Sequence, residues 1–122
     1  MIERKEGFIV NVSSIAARNG GGVGATVYAA AKAAVSAITK GLAKELAPHG
    51  IRVNAVSPGT VDNDFHVQFS NRQILDAVVA ATPAGKLGTN EEIADTIMFL
   101  CSNAARYIHG QTIEINGGMF MV

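Results

Sequence analysis

The chain has almost nothing with which to staple, anchor or charge itself. Cys101 is the one cysteine among 122 residues, so no disulfide can close within the chain. Its place in an apolar helical pattern suits a small buried side chain better than a nucleophile. There is no run of like charge: ten basic and ten acidic residues cancel, which argues against a nucleic-acid backbone or an anionic membrane surface as partner. Long hydrophobic stretches are missing too. The charged start from Met1 to Glu6 precedes only a short apolar run, which excludes a signal peptide and a membrane span and makes the cytoplasm the expected compartment. No internal repeat or low-complexity linker interrupts the chain. Its histidines, His49, His66 and His109, are expected in loops or at element ends and lack metal-ligand spacing, so no metal is expected.

What is present is an apolar fraction of 48%, ample for the core of one compact α/β domain. Gly7 to Val12 and Ile51 to Val56 are short, nearly continuous apolar runs that read as strands, the second ended by Ser57-Pro58-Gly59. Gln111 to Asn116 alternates apolar and polar residues, which suits a strand at the margin of a sheet. Between the first two strands a helix is expected from about Val27 to Ala47, with Ala31, Val35, Ile38, Leu42 and Leu46 on one apolar face before Pro48 and Gly50 stop it. Alanines occur on more than one side of this helix, a composition that also suits packing against a symmetry mate. Thr89 and Glu92 have the form of a capping box, and Ile93, Ile97, Leu100 and Cys101 continue one face of a second long helix. A shorter helix is expected over Gln73 to Ala81. This order implies a parallel α/β sheet.

Tyr28 and Lys32 are four residues apart, so on a helix they share a face one turn apart, about 6 Å of axial rise. A cation so placed favours the phenolate form, and Tyr28 could then exchange a proton. Asn11-Val12-Ser13-Ser14 ends the preceding strand and Asn54-Ala55-Val56-Ser57-Pro58-Gly59 ends the following one. Open parallel sheets bind ligands beyond the carboxyl ends of their strands, so Ser14, Tyr28 and the Pro58-Gly59 turn can converge on one site. Gly20-Gly-Gly-Val-Gly-Ala25 satisfies G-x-G-x-x-A only superficially. It lies well past the strand end, and no acidic residue at a following strand tip is available for a ribose, so an active-site loop is the better reading.

Four motifs in order, Asn-Val-Ser-Ser at 11 to 14, Tyr28-Ala-Ala-Ala-Lys32, Arg52-Val-Asn-Ala-Val-Ser-Pro-Gly59 and Gly110-Gln-Thr-Ile-Glu-Ile-Asn-Gly-Gly118, resemble the short-chain dehydrogenase/reductase family over Gly7 to Val122. The ending Asn116 to Val122 is similar to bacterial ketoacyl-acyl-carrier reductases. The resemblance implies an NAD- or NADP-dependent oxidoreductase of carbonyls or secondary alcohols, with Tyr28 as general acid or base, Ser14 bonded to the same substrate oxygen, and Lys32 holding the nicotinamide ribose. Ser13 is the competing serine; the family's catalytic serine is the later of such a pair. The turn Pro58-Gly59-Thr60-Val61 would meet the nicotinamide carboxamide, Val61 as main contact and Gly59 permitting close approach. Asn63, which stands where the family often has threonine, completes the cofactor-binding set.

By the same resemblance, residues 1–122 would form a partial domain, the C-terminal half of a Rossmann-type doubly wound sheet. Its three strands would be the fifth to seventh of seven, without the glycine-rich dinucleotide turn. The first strand would lose a neighbour, and a dimer or tetramer is expected. The truncated chain alone is expected to be inactive, and an alternative is a non-catalytic association module. The stretch from Asp62 to Gly85 would be the substrate loop, where Phe65, Phe69, Ile74 and Leu75 could line a pocket but are expected to pack a lid helix. Lys5 stands where such reductases meet an acidic carrier, with His49 in place of a helpful arginine. The apolar terminus from Met119 to Val122 is expected to be buried against this subunit or a neighbour.

Overall fold

The computed structural model describes residues 1–122, apart from the side chains of Phe65, Val67 and Phe69. Three parallel strands, β1 (Gly7–Val12), β2 (Ile51–Pro58) and β3 (Thr112–Ile115), stand in the order β1-β2-β3. The helices are α1 (Ala16–Asn19), α2 (Thr26–Leu46), α3 (Asp64–Phe69), α4 (Arg72–Ala81) and α5 (Asn90–Leu100). The α/β class and the marginal place of β3 agree with the sequence pattern. β2 runs two residues past its expected end, because Pro58 continues the register opposite Ile115. α1 and α3 were not expected; both are too short to show a helical period.

β2 is buried on both faces, as the centre of a parallel sheet must be. Ile51 and Val53 pack with Ala43, Leu42, Leu46 and Ile9 under α2. Val56 meets Leu100 and Ala105 on the opposite face, with Ile93, Ile97, Val10 and Ile113 around them, under α5. The sheet is thus held between α2 and α5.

The inward face of α2 keeps Leu42 and Leu46 of the expected stripe but not Ala31 and Ile38. Ala29, Thr39 and Ala43 are buried, whereas Ala31 faces solvent and Ile38 is 56% exposed. Hydrogen bonds decide the orientation: the Thr39 hydroxyl donates to Val35 O at 2.8 Å and accepts from Asn11 Nδ2 at 2.9 Å. Ser13 Oγ donates to Lys32 O at 2.8 Å and lies 3.0 Å from Ser36 Oγ. Small polar side chains let α2 lie close to β1 with these buried groups satisfied. Val27 and Ile38 are left on the outside.

Two other expectations are corrected, and the third, for the terminus, is met within this chain only in part. Cys101 is half-buried at the C-terminal end of α5. His66 lies within α3. Met119 and Phe120 are half-buried, but Met121 and Val122 are 77% and 93% exposed. Among the described residues no helix is long and apolar enough to cross a membrane.

Candidate active site

The sheet builds the site at the carboxyl ends of β1 and β2. Pairing continues beyond β1: Ser13 N donates to Val56 O at 2.8 Å and Ile15 N to Pro58 O at 2.9 Å. These bonds fix Ser14 between them. Ser14 is buried, and its Oγ accepts from Ala16 N at 3.1 Å at the entry to α1. Arg18 on α1 lies 3.6 Å from the Glu114 carboxylate on β3 and 5.4 Å from the Phe120 ring centroid. That pair ties α1, and Ser14 with it, to the far strand.

The chain brings Ser14, Tyr28, Lys32, Pro58, Gly59, Val61 and Asn63 to one cleft of about 370 Å³. Ser13 also borders it, with its hydroxyl committed to the backbone and side chain of α2, whereas the Ser14 hydroxyl accepts from Ala16 N alone. Lys32 Nζ lies 5.8 Å from the Tyr28 ring centroid and donates to Val12 O at 2.9 Å. In the ladder with β2, the odd-numbered residues of β1 turn their backbone groups toward β2. Val12 O therefore points to the open side of β1, and the Lys32 ammonium sits at that edge.

Val61 is held by a bridge to Gly88: Gly88 N donates to Thr60 O at 3.0 Å and Asp62 N to Gly88 O at 2.9 Å. In this pattern Val61 turns its own N–H and C=O away from Gly88. Asn63 precedes α3 without capping it through its side chain, and its Oδ1 is buried with no hydrogen-bond partner. A free backbone edge at Val61 and an orphaned amide oxygen at Asn63 fit a primary carboxamide such as that of a nicotinamide. Gly59 makes its close approach elsewhere. A Cβ there would lie 2.9 Å from Asn116 Cβ and 3.0 Å from Asn116 Cα, so the glycine admits the chain leaving β3. Burial holds the His66 imidazole, also at the cleft, below its ordinary pKa.

Asn90 and Ala94 on α5 line the cleft and were missed. A helix leading into a parallel strand begins at the carboxyl edge of the sheet, so the capping box at Thr89 and Glu92 could have placed them there. The loop Gly20 to Ala25 is separated from β1 by α1. Lys5 and His49 precede β1 and β2, which puts them at the opposite end of the sheet from this chain's own cleft. Ile74 is 52% exposed rather than packed, and the side chains of Phe65 and Phe69 lie outside the described residues. Among the described residues no group of three or more His, Cys, Asp or Glu could hold a metal.

Comparison with known proteins follows the same outline. The profile of the family described as enoyl-(acyl carrier protein) reductase, adh_short_C2, matches residues 1–120. The 3-oxoacyl-[acyl-carrier-protein] reductase FabG of Vibrio cholerae is 42% identical over 122 residues, the whole of this chain and 49% of the relative. A crystal structure of 3-oxoacyl-[acyl-carrier protein] reductase from Brucella melitensis superposes with a TM-score of 0.93 at 38% identity, covering 100% of this chain and 45% of the other. A second from that organism, with bound NAD, gives a TM-score of 0.90 at 37% identity over 100% of this chain and 44% of the other. The chain spans about half the length of the curated relatives it matches.

Proposed function

The chain belongs to the short-chain dehydrogenase/reductase family, and on that premise we propose that it carries the proton-transfer half of an oxidoreductase site acting on a carbonyl or secondary alcohol. The observation that supports this reading is the meeting of Ser14, Tyr28 and Lys32 with the Pro58 to Asn63 turn in one cleft. A nicotinamide cofactor, NAD or NADP, supplies or accepts the hydride when bound. Val61 and Asn63 would hold its carboxamide, with Pro58 and Gly59 shaping the turn, and Lys32 would hold the adjoining ribose. Tyr28 would give its phenolic proton to the substrate oxygen in reduction and take it back in oxidation. Ser14 would hydrogen-bond the same oxygen and so favour the charge that develops there. Lys32 would hold a positive charge beside the phenol throughout.

Two measurements test the reading. Addition of NADH or NADPH to the labelled chain is expected to shift the amide resonances of Val61 and Asn63; silence at both with either nucleotide sinks the cofactor assignment. With a dinucleotide-binding half supplied, ketone-dependent oxidation of the nucleotide is expected to fall by about 10²–10⁴-fold in Tyr28→Phe. Turnover retained in that variant would remove Tyr28 from its role.

A second reading, an association module that binds no cofactor, is favoured by the exposed Val27 and Ile38 on α2 and by the open side of β1. Self-association without any nucleotide response would support it. A cytoplasmic setting and a dimer or tetramer belong to the first reading, as in an enzyme whose outer α2 face packs on a second copy.

A further inference from the structure

The chain contains two Asn-Gly steps, Asn19-Gly20 and Asn116-Gly117. At such a step the second residue has no side chain to shield its backbone nitrogen, which can then reach the asparagine amide carbon. The two steps stand in opposite surroundings. Asn19 ends α1 on the surface, and Gly20 and Gly21 follow it at φ of 86° and 75°. A Cβ at Gly20 or Gly22 would meet nothing within 4 Å, so the loop has room to fold back on the side chain. Asn19 Oδ1 accepts from Gly21 N at 2.9 Å, the one hydrogen bond of this side chain among the described residues.

Asn116 is half-buried and held through both atoms of its amide. Its Nδ2 donates to Phe120 O at 3.1 Å, and its Oδ1 accepts from Gly118 N at 3.1 Å and Phe120 N at 3.4 Å. A Cβ on Gly117 would lie 2.8 Å from Thr82 Cγ2 and 3.1 Å from Ala84 Cβ, so this glycine is packed against the segment after α4. Each side-chain carbonyl carries a donor that favours the oxyanion formed on attack. Freedom, not polarisation, therefore separates the two steps. At Asn19 the attacking Gly20 N must first leave Ala16 O, 2.9 Å away, and that bond closes a helix of one turn, whose end opens at little cost.

We propose that Asn19 is a modification site of the folded chain, deamidated by its own backbone with water as the only co-reactant. The bond from Gly20 N to Asn19 Cγ forms and the Asn19 Cγ–Nδ2 bond breaks; the Gly20 amide proton leaves with Nδ2 as ammonia. Water then opens the five-membered imide at either carbonyl, its hydroxyl going to the carbon and its remaining proton to the nitrogen. One opening gives aspartate. The other gives isoaspartate, with the side-chain methylene now in the main chain. Both add a negative charge to a chain whose formal charges otherwise cancel. Both place it in the wall of a cavity of about 910 Å³ that Asn19 shares with Tyr28. Asn116 is spared.

The test incubates the full chain at mildly alkaline pH, digests samples at intervals in mild acid, and weighs the peptides carrying Asn19 and Asn116 for the one-dalton gain of each deamidation. In the folded chain, conversion at Asn19 is expected to be about tenfold or more faster than at Asn116, whose side chain must first break three hydrogen bonds. In urea the two rates should converge, because the difference lies in the fold. Asn19→Gln, whose longer side chain closes its ring less readily, should remove the acidic band that grows on isoelectric focusing of the folded chain. Equal rates in the folded chain, faster conversion at Asn116, or an Asn19 peptide that converts in urea but not in the folded chain overturns the proposal. So does an acidic band that grows undiminished in Asn19→Gln.

Discussion

His109 shows how one side chain can complete a sheet. β3 begins opposite Ala55, so the Val53 N–H, which points to that side, has no strand to meet. His109 Nδ1 accepts from it at 3.3 Å, which leaves the proton on Nε2, and Nε2 donates to Ala43 O at 2.7 Å. The ring thereby joins β2 to α2. In His109→Phe the Val53 N–H loses its partner, and unfolding by urea should show a loss of about 1–3 kcal/mol; an unchanged midpoint would mean that water replaces the ring without penalty. The two serines separate by the same reasoning. Ser13→Ala removes the bond to Lys32 O and the contact with Ser36 Oγ, and should lower stability by about 1 kcal/mol. Ser14→Ala loses only the bond from Ala16 N, so its larger effect should fall on ketone turnover. If Ser13→Ala instead abolishes turnover at unchanged stability, the reacting serine has been assigned to the wrong neighbour. The sequence ranks them only through the family resemblance, because a pair of adjacent serines carries no spacing signal of its own.

Elements were legible where a period or a cap announces them. The Thr89 and Glu92 capping box is present as read, with Glu92 N donating to Thr89 Oγ1 at 3.2 Å and Thr89 N donating to Glu92 Oε2 at 2.9 Å. The face of α2 was legible only in part: Leu42 and Leu46 pack against β2 as read, while toward the N-terminus the inner surface is chosen by Thr39, Ser36 and the small alanines. Apolar periodicity cannot see a helix that docks through hydroxyls. α1 carries one turn between Ser14 and a glycine loop, with no period to read. At α5 the structure adds a pH dependence. The hydrogen bond from the Lys86 ammonium, and then the Thr89 amide, hold the Glu92 carboxyl below the usual glutamate range. A lowered folded pKa means that the unfolded chain binds this proton more readily, so stability rises with pH across the interval between the two values. The cap is therefore at full strength above the ordinary glutamate pKa and is lost as pH falls through the lowered one. Exchange of the first-turn amides of α5 should quicken over that acidic window, weakly and less so in salt, because the group is exposed. Glu92→Gln should flatten the profile; the same acid dependence in that variant would assign it to another group.

For the whole molecule, two surfaces compete to be covered. One is the outer face of α2, where Val27 is 83% and Ile38 56% exposed. The other is the open side of β1, where Phe8 and Val12 are 37% and 47% exposed and the even-numbered backbone groups face away from β2. An uncovered apolar edge of this kind invites pairing. The two routes leave different traces. At high dilution, amide exchange along β1 should alternate: Ile9, Asn11 and Ser13 slow, Phe8, Val10 and Val12 fast, since only the first set meets β2 carbonyls. If copies associate through α2, the mass in solution rises with concentration while Phe8, Val10 and Val12 stay fast, and Ile38→Lys returns the chain to monomer. If they associate through the edge, those amides slow as the mass rises, and Ile38→Lys changes nothing. We expect the α2 route. The Lys32 ammonium already occupies Val12 O at the edge, and a strand pairing there would have to displace a charged hydrogen bond, whereas nothing polar must be broken to cover Val27 and Ile38. Slowing of the even-numbered β1 amides would reverse that ranking, and would mean that Lys32 leaves Val12 O when the sheet gains a neighbour.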